Sequence, residues 1–482
     1  MKLKHLSLSV MLMGVTIGGV ANTAHASGYH FGSQSVSAQG TAHANSAEAA
    51  DASVLFYNPA GMSRLEGTNL SGGLTLVVPN SDYTDKGSTR FTGSQTGGGN
   101  GGTFAPDYVV APSFYLTHQL NDKLSVGVGM FVPFGAKLDY GNTWAGRYGL
   151  ENITLETIDI NPSMSFKFDE HHSVGVGVTA EYMKAKLQKA VDVPGGVSYL
   201  LAHGAGSSLL TSYYGLGGTQ APAAVQSALL GAKDGQAKLD ADDWGYGFNL
   251  GYMYQLNDAT RFGLAYRSSV RHRLEGNANW SFNVTSDPIL NQIIASSAGK
   301  KTSAASVDVE TPESVSGNFY HDLNDKWAVM GDLTWTRHSR MDSIDIKFHN
   351  VNPAEGDLII KQNWKDTFKL SLGANYKYSE NLLLRGGVAY DQSPVKNDNL
   401  RHPALPDSDR YWFSVGANYK LNKQSSIDLA YSYVFFKNSS INYTDTCTPV
   451  TPTGTCTGNG ETTRGDYKTN LQFLGVQYNY RF

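Results

Sequence analysis

The sequence predicts an all-β membrane protein, a 14-stranded antiparallel transmembrane β-barrel with an N-terminal hatch, or plug, inside its lumen. Three observations predict this fold: a closing segment that alternates apolar and polar residues up to a terminal aromatic, six short turn signals separated by long irregular segments, and an Ala/Ser/Gly-rich stretch without alternation before the first strand. Alternation with a period of two gives a strand one apolar face and one polar face.

The last sixteen residues carry the clearest strand pattern. Leu474, Val476, Tyr478, Tyr480 and Phe482 are apolar or aromatic, and polar or small residues stand between them. Outer-membrane barrels have this apolar-out, polar-in alternation together with aromatic girdles. A soluble β-sandwich also alternates, but strands in soluble sheets are most often about 5 to 6 residues long, and several periodic runs here are much longer. The pattern therefore favours a membrane barrel.

Six tight-turn signals divide the rest of the chain. They are the segments 120–123, 169–172, 256–258, 323–326, 378–381 and 421–423. Asn and Asp, which recur in these segments, tolerate the dihedral angles of tight turns and hydrogen-bond their own backbone. Longer polar segments lie between consecutive turns, which is the asymmetry of short periplasmic turns and long extracellular loops. Six such turns with both chain ends in the periplasm give seven hairpins, and hence 14 strands.

The N-terminal region predicts three segments: a signal peptide at 1–26, a hatch at 27–66 and a barrel at 67–482. Two lysines precede a short apolar run that ends at Ala24-His25-Ala26, the pattern of a cleaved secretory signal. An N-terminal membrane anchor is the alternative, which the glycines within the apolar run disfavour. A 14-stranded pore leaves an aqueous lumen unless something fills it. The hatch segment is therefore a candidate plug, and a disordered periplasmic tail is its alternative.

Composition narrows the classes of function. The net charge of −4 argues against a nucleic-acid surface. The 13 histidines are scattered, with no Ser-His or Asp-His constellation at plausible strand positions, so we expect no enzyme and no cofactor or metal site. The two cysteines, Cys447 and Cys456, lie in a polar segment, and in an exported protein we expect them to form one disulfide.

Three groups of short strings carry a family resemblance. They are Asn58-Pro59-Ala60; Trp244-Gly245-Tyr246-Gly247 with Leu264-Ala265-Tyr266-Arg267-Ser268; and Asp391-Gln392-Ser393-Pro394-Val395 with Leu405-Pro406-Asp407-Ser408-Asp409-Arg410-Tyr411-Trp412. In this order and spacing they resemble the FadL family of outer-membrane transporters for long-chain fatty acids and other hydrocarbons. The resemblance implies passive transport in a Gram-negative outer membrane. Substrate is captured in an extracellular apolar groove, moves to a pocket in the barrel and leaves sideways through a gap beside a kinked third strand.

Two long loops, at about 190–241 and 281–305, are candidates for the capture groove. Their apolar residues include Leu200, Leu201, Leu209, Leu210, Ile289, Leu290, Ile293 and Ile294. Exposed apolar patches mark binding sites, and the resemblance favours a groove for an acyl chain. The alternative is that these residues pack only against one another and form a rigid lid.

A fatty acid carries a carboxylate, which must be paired in a pocket of low dielectric constant. The resemblance places Lys189 and Lys361 at the family's basic head-group contacts, and strand parity points both into the barrel if their strands extend that far. The third strand carries Pro133-Phe134-Gly135 within a regular run. Proline removes a ladder donor and glycine often marks a bulge. A kink at Gly135 would open the wall with Phe134 lining the opening, and an ordinary bulge without a gap is the alternative.

Further roles follow from the resemblance alone. Tyr29 corresponds to an aromatic residue that reaches the pocket, Asn58 ties the hatch to the kink, and Asp391 fixes the hatch or the eleventh strand. Pro59 and Ala60 belong to the hatch beside Asn58. The expected partners are a long-chain fatty acid or other hydrophobic ligand, outer-membrane lipid and lipopolysaccharide, and the barrel-assembly machinery, which reads the terminal aromatic residue. We expect a monomer. The alternative functions are transport of neutral or aromatic hydrocarbons, a diffusion porin, and an adhesin-like surface protein.

Overall fold

The computed structural model describes residues 30–196, 227–229, 232–298, 301–349, 358–445 and 460–482. The predicted signal peptide lies outside these residues. Among the residues that the structure describes, no helix is both long enough and apolar enough to cross a bilayer. Within the same ranges, no group of three His, Cys, Asp or Glu side chains is arranged to hold a metal ion.

One antiparallel sheet forms the barrel wall. Its first segments are β1 (Thr68–Asp85), β2 (Gly102–Thr103), β3 (Val109–Gln119), β4 (Leu124–Phe131), β5 (Gly135–Asp139), β6 (Asn152–Lys167), β7 (His172–Val191), β8 (Gly235–Asn257), β9 (Thr260–Arg267) and β10 (Val270–Ser281). The later segments are β11 (Ser303–Thr311), β12 (Ser314–Asp322), β13 (Trp327–Thr336), β14 (Ser343–Phe348), β15 (Leu358–Lys361), β16 (Thr367–Lys377), β17 (Leu382–Asp391), β18 (Arg410–Lys420), β19 (Ser425–Phe436), β20 (Ser439–Thr444) and β21 (Thr462–Arg481).

These segments make 14 wall strands, which confirms the predicted fold. The short β2 belongs to the first extracellular loop. Six wall strands are each made of two consecutive segments, namely β4/β5, β9/β10, β11/β12, β13/β14, β15/β16 and β19/β20. The six short connections between wall strands coincide with the six turn signals in the sequence. Asn and Asp side chains accept backbone N–H groups there, as Asn121 does from Lys123 at 2.9 Å.

The closing strand pairs with the first strand along its whole length. The register runs from Asn69 opposite Arg481 to Asp85 opposite Gly465. The apolar face of β21 is exposed, with side-chain exposures of 48% at Leu474, 47% at Val476 and 42% at Tyr478. Its other face is buried against the hatch. This is the alternation of a strand with lipid on one side and a filled lumen on the other.

The hatch fills the lumen with short helical turns. They are α1 (Val36–Gln39), α2 (Val54–Tyr57) and a 3-10 helix (Pro59–Arg64). Ser35 caps α1 by accepting a hydrogen bond from the Ala38 N–H group at 3.1 Å. Most hatch side chains from residue 31 to residue 62 are buried, so residues 30–66 are a plug rather than a disordered tail. A longer helix, α3 (Pro288–Ala298), lies in an extracellular loop.

A buried ion pair between Glu48 of the hatch and Arg385 of β17 holds the hatch against the barrel wall. The Glu48 carboxylate accepts hydrogen bonds from Arg385 Nη1 at 2.6 Å and from Asn375 Nδ2 at 2.8 Å. Arg261 Nη2 donates to the backbone oxygen of Glu48 at 2.7 Å. The Glu48 and Arg385 side chains are 8% and 3% exposed. Because both charges are removed from water, removing one partner would leave the other buried and unpaired inside the barrel.

Candidate functional site

The third wall strand contains a one-residue bulge at the predicted kink. β4 ends with Phe131 opposite Asp159 of β6, and β5 resumes with Gly135 opposite Glu156. Four steps along the third strand therefore match three steps along its neighbour. One extra residue in one strand is the definition of a β-bulge, which bends the strand and interrupts its ladder. Pro133, within the bulge, could not donate to that ladder in any case.

The bulge separates wall strands 2 and 3 in their extracellular half. β3 pairs with β4 from Phe114 to Gln119. Its residues 109–113 still pair with β1 on the other side, but no ladder joins them to β5 within these described segments, since β5 pairs with β6. The barrel wall thus has a break in its hydrogen bonding directly beside the kinked third strand.

Hatch residues occupy the place of the missing neighbour. Gln34 Nε2 donates to the Val132 carbonyl oxygen at 2.7 Å, and Gln34 Oε1 accepts from the Val132 N–H group at 3.2 Å. The backbone N–H group of Phe31 donates to the Pro133 carbonyl oxygen at 2.7 Å. The hatch therefore closes the break in this structure by satisfying the backbone that the bulge released.

Phe134 lies at the break but points inward. His30 of the hatch forms an isolated antiparallel bridge with it, and the two rings are 5.3 Å apart. On the other side, Thr157 Oγ1 accepts a hydrogen bond from the Phe134 N–H group at 3.0 Å. The Phe134 side chain is only 4% exposed. Phe134 is therefore buried between the hatch and the neighbouring strand β6, and its role as the lining of an opening stays a prediction.

An apolar cluster fills the lumen on the extracellular side of the break and includes Phe134. Its aromatic rings stack: Phe104 and Tyr140 have centroids 4.6 Å apart, and Tyr140 and Trp144 have centroids 4.0 Å apart. The cluster is continuous from the loops to the kink. Apolar linings of this kind are the usual surroundings of hydrophobic ligands.

Lys189 stands beside this cluster with a carboxylate partner. Its Nζ atom is 3.6 Å from Asp445 Oδ2, and both side chains are 13% exposed. Nearby, the His402 ring meets Tyr443 edge-on with centroids 4.8 Å apart. Burial, reinforced by the positive charge of Lys189, lowers the pKa of His402 to about 3. Because the His402 imidazole is neutral, Lys189 is the positively charged side chain among Lys189, His402 and Tyr443.

Lys361 does not face the lumen, so the orientation predicted from strand parity is wrong. It ends β15 with an exposed side chain, whereas the side chain of Ile360 before it is buried. The chain leaves the strand between β15 and β16, where Asn363 has a φ of 44°. This interruption resets the alternation, which therefore cannot be extended from β16 back to Lys361.

The described apolar loop residues mostly pack against one another. Leu290, Ile293 and Ile294 on α3 are buried in one cluster with Leu229, and Ile289 is 48% exposed. This packing is what the lid alternative expects, and the choice between a lid and a groove stays a prediction. Leu200, Leu201, Leu209 and Leu210 lie outside the described residues, as do Tyr29, Cys447 and Cys456.

The resemblance implied that Asn58 ties the hatch to the kink, but Asn58 has other partners. Its Nδ2 atom donates to the Tyr252 carbonyl oxygen of β8 at 3.0 Å, and its Oδ1 atom accepts from the Ala60 N–H group at 3.1 Å. A Cβ atom at Gly251 would collide with Asn58 Oδ1, and one at Gly175 would collide with the backbone of Ala60. Glycines in the wall therefore let the Asn58-Pro59-Ala60 turn dock there, while Gln34 holds the kink.

Asp391 faces the lumen, where parity placed it. Its carboxylate lies 3.3 Å from Arg410 Nε on the neighbouring strand, and Lys369 is its direct cross-strand partner on the other side. Its negative charge therefore links its own strand, β17, to β18 through Arg410 and to β16 through Lys369. Whether it also fixes the hatch stays a prediction.

Sequence reasoning missed a cavity of about 110 Å³ between the hatch and the wall. Its lining includes His30, His43, Arg267, Lys369 and Trp412. The two cations of this lining, Arg267 and Lys369, could have been found by strand parity. Lys369, for example, alternates with the lipid-facing Phe368 and Leu370 in the sequence.

These features define a class of protein: an outer-membrane β-barrel with a lumen plugged by its own N-terminal segment and a wall broken beside one kinked strand. A family model described as "Outer membrane protein transport protein (OMPP1/FadL/TodX)" matches residues 17–482, and the chain belongs to this family. It is thus an outer-membrane transport protein for hydrophobic compounds. The family is made of transport channels and not of enzymes.

Three relatives illustrate the range of the family. An outer membrane protein of Neisseria meningitidis serogroup B is 35% identical over 99% of this chain and 99% of its own length. Outer membrane protein P1 of Haemophilus influenzae is 31% identical over 90% of each chain. The long-chain fatty acid transport protein of Escherichia coli K12 is 27% identical over 89% of this chain and 92% of its own.

Solved structures show the same fold. A Pseudomonas aeruginosa FadL homologue superposes with a TM-score of 0.78 at 24% identity, over 94% of this chain and 100% of that chain. The toluene transporter TodX of Pseudomonas putida superposes with a TM-score of 0.60 at 21% identity, over 89% of this chain and 94% of that chain.

Proposed function

We propose that the protein carries long-chain fatty acids passively across the outer membrane and releases them sideways into the bilayer beside wall strand 3. One observation carries the proposal: residues 109–113 of β3 have no ladder to β5 within the described segments, and hatch residues hydrogen-bond the backbone of Val132 and Pro133 at this break. A wall strand in lipid cannot leave backbone groups unsatisfied without a cost of several kcal/mol each. A break in the wall is a gate when its backbone hydrogen bonds are completed by a segment that can move away.

The gate opens when the segment from His30 to Gln34 withdraws. Its contacts with Val132 and Pro133 are three hydrogen bonds, each worth about 0.5–1.5 kcal/mol net. A ligand that gains this much by binding the open state shifts the hatch by mass action, with no other energy source. Consumption of the acid inside the cell then sets the direction of transport.

Capture begins at the loops, and Lys189 is the proposed head-group contact in the extracellular half. It lies at the margin of the apolar cluster, where an acyl chain would find the stacked aromatic rings. The incoming carboxylate would exchange with Asp445, which is 3.6 Å from Lys189 Nζ. A lysine is a point charge with rotatable donors, so it can change partners without reorganising a bidentate pair.

Transport of neutral or aromatic hydrocarbons is the second candidate. One observation favours it: Lys189 already has a carboxylate partner and Lys361 is exposed. One named relative favours the fatty acid, since the protein from Escherichia coli is a long-chain fatty acid transport protein, and the structural neighbour TodX, a toluene transporter, favours the hydrocarbon. The two candidates differ in whether the pocket recognises a carboxylate.

Binding of radiolabelled oleate, with oleyl alcohol and toluene as neutral ligands, tests the proposal on the purified protein. We expect oleate to bind, and Lys189→Ala to weaken it about tenfold, which corresponds to about 1.4 kcal/mol. Lys361→Ala is the matched control, because it removes the same charge from an exposed position, and it should change nothing. Binding of the neutral ligands alone would establish the hydrocarbon alternative, and a steady large single-channel conductance would identify a porin.

A further inference from the structure

The outward face of wall strands 7 to 9 changes from apolar to charged in steps of two residues. Residues opposite one another across a ladder share a face of the sheet. An apolar row, Leu264, Gly317 and Leu333, is followed two residues further towards the extracellular side by a row of Tyr266, Val315 and Trp335. Leu264 and Leu333 are exposed, so this face looks out of the barrel. Tyr and Trp concentrate where hydrocarbon gives way to polar headgroups, and the outward residues that follow therefore stand at headgroup level.

Three arginines and two glutamates stand just above this aromatic row. This outer arginine cluster consists of Arg271, Arg337, Arg340, Glu310 and Glu313. Arg340 bridges both carboxylates, with Nη1 2.8 Å from Glu310 Oε1 and Nη2 3.0 Å from Glu313 Oε2. The Tyr266 hydroxyl donates to Glu313 Oε2 at 3.2 Å, which ties the cluster to the aromatic row. Three positive side chains against two negative ones leave the cluster with an excess of one positive charge.

Two of these arginines keep donors free. Arg271 is 82% exposed, and its Nε atom lies 3.5 Å from Glu310 Oε2. Its two terminal nitrogens have no hydrogen-bond acceptor in the part of the chain that the structure describes. Arg337 donates from Nη1 to Glu313 Oε1 at 2.9 Å. Its Nη2 atom has no acceptor among the described side chains, and the side chain is 47% exposed. A guanidinium presents its donors in a rigid fork that matches the oxygens of a phosphate group.

Further exposed cations widen this surface. Arg273 follows Arg271 by two residues on β10, and its Nε atom is 3.7 Å from Glu275 Oε1. Lys361, which does not face the lumen, is exposed opposite Ser343 in wall strand 10. Exposed ion pairs are worth about 0–1 kcal/mol, so an incoming anion can replace the weak contacts of Arg271 and Arg273. The exposed cations thus extend from wall strand 7 to wall strand 10.

We propose that the outer arginine cluster binds the phosphate groups of a lipopolysaccharide molecule in the outer leaflet. The position above the aromatic row selects a lipid, because its acyl chains then lie on the Leu264 and Leu333 row while its phosphates meet the arginines. Basic clusters at headgroup level are a general means of holding anionic lipids.

The width of the surface favours a glycolipid over a phospholipid. Wall strands 7 to 10 span about 14 Å at about 4.8 Å per strand. A disaccharide with a phosphate at each end can reach cations across such a width, whereas a phospholipid carries one phosphate. These strands also lie about half-way round the wall from the break between strands 2 and 3, so a lipid bound there leaves the break free. The inference holds whatever compound the barrel carries.

The test measures binding of lipid A to the purified full-length protein in a non-ionic detergent by native mass spectrometry. Lipid A with both phosphates is compared with its dephosphorylated form. We expect the double variant Arg271→Gln/Arg337→Gln to weaken binding of the phosphorylated form about tenfold, or about 1.4 kcal/mol, and to leave the dephosphorylated form unchanged. Arg271→Lys/Arg337→Lys keeps both charges and should keep most of the affinity. Arg481→Gln/Lys420→Gln is the matched control, because it removes two exposed cations from the periplasmic rim.

The other outcomes overturn the inference in different ways. An unchanged affinity in the glutamine variant, or an equal loss in the glutamine and lysine variants, removes the arginine charges from lipid binding. A loss of inorganic phosphate binding in the glutamine variant, with lipid A unaffected, identifies a site for a soluble anion. Phosphatidylglycerol that binds the wild type as tightly as lipid A rules out the choice of a glycolipid. The comparison of the two lipid A forms on the wild type needs no variant, and equal binding of both forms excludes phosphate recognition.

Discussion

The side-chain amide of Gln34 pairs with both backbone groups of Val132, as a neighbouring β-strand would. Nε2 donates to the carbonyl oxygen at 2.7 Å and Oε1 accepts from the N–H group at 3.2 Å. The backbone oxygen of Gln34 accepts a further hydrogen bond from the Tyr115 hydroxyl of β3 at 2.9 Å. One hatch residue thus bridges the two wall strands that the bulge has separated.

Replacing this amide should loosen the gate. Gln34→Ala removes two hydrogen bonds to Val132, each worth about 0.5–1.5 kcal/mol net. We expect amide hydrogen exchange in residues 131–135 to accelerate about tenfold, which corresponds to about 1.4 kcal/mol. Mass spectrometry of peptides from the folded protein measures this exchange.

Gln39→Ala is the matched control for that experiment. Gln39 is also a buried hatch glutamine, but its Nε2 atom donates to the Phe473 carbonyl oxygen of β21 at 3.1 Å. It should leave the exchange of residues 131–135 unchanged. Equal acceleration in both variants would show that the effect is a general loosening of the hatch and not a latch at Val132.

The buried pair of Glu48 and Arg385 should hold the hatch in place. Glu48→Ala leaves the Arg385 cation buried without its nearest carboxylate, and breaking such a pair costs about 3–5 kcal/mol. We expect limited proteolysis to cut residues 30–66 in the variant and not in the wild type. Glu66→Ala is the control, because its pair with Arg481 is solvent-exposed and worth about 0–1 kcal/mol. Similar proteolysis of both variants would contradict this assignment.

A methyl group at Gly251 should push the hatch away from the wall. Its Cβ would collide with Asn58 Oδ1, and overpacking of this kind costs about 1–3 kcal/mol. We expect Gly251→Ala to raise the basal single-channel conductance by displacing the plug. Gly386→Ala adds the same methyl group to a wall glycine with nothing within 4 Å of its Cβ position. An unchanged conductance in Gly251→Ala would show that the hatch can plug the lumen in a second stable position.

The barrel could be predicted from sequence because its signals are local. Period-two alternation and Asn/Asp turns need no knowledge of distant residues, so the turn count alone led to 14 strands. The closing strand is the clearest case, since its alternation is kept in β21 from Phe473 to Tyr478. Pro133 and Gly135 also marked the bulge correctly, because both residue types interrupt a ladder by their own chemistry.

The site was harder to predict because it depends on contacts between distant segments. The predicted orientation of Lys361 failed because the strand is interrupted between Lys361 and Thr367, where Asn363 has a positive φ. The docking of Asn58 on Tyr252 of β8, 194 positions along the chain, rests on a wall glycine, Gly251, and nothing in the hatch sequence points to it. Lys369 was visible as an inward cation, but its neighbours could not be known without the hatch in place.

Stability at the extracellular loops should depend on pH through His402. Its pKa is lowered from 6.5 to about 3 by burial and by the charge of Lys189. Between these values the unfolded chain binds a proton that the folded loop excludes, so stability falls as the pH falls from 6.5 towards 3. We expect the drop in Tm between pH 7 and pH 4.5 to be smaller in His402→Gln than in the wild type.

An exposed histidine provides the comparison for this titration. His118 lies at the periplasmic end of β3 with an exposed side chain, and His118→Gln is the control for the loss of one histidine outside the extracellular loops. Identical profiles in all three proteins would mean that His402 takes up its proton without unfolding the loop.

Lateral release is the central claim, and the one-residue bulge allows it to be tested directly. Deleting Pro133 restores equal numbers of residues between Phe131 and Gly135 and between Asp159 and Glu156, so the ladder with β6 becomes continuous and β5 can run on beside β3. Pro133→Ala keeps the extra residue and is the matched control. Heat-dependent electrophoretic mobility shows whether each barrel is folded.

The decisive measurement is uptake of radiolabelled oleate by Gram-negative cells that lack a long-chain fatty acid transporter of their own and express each protein. The account predicts uptake with the wild type and with Pro133→Ala, and a loss of about tenfold or more with the Pro133 deletion, because the wall can no longer part beside the third strand. A folded deletion variant that takes up oleate at the wild-type rate would contradict lateral release.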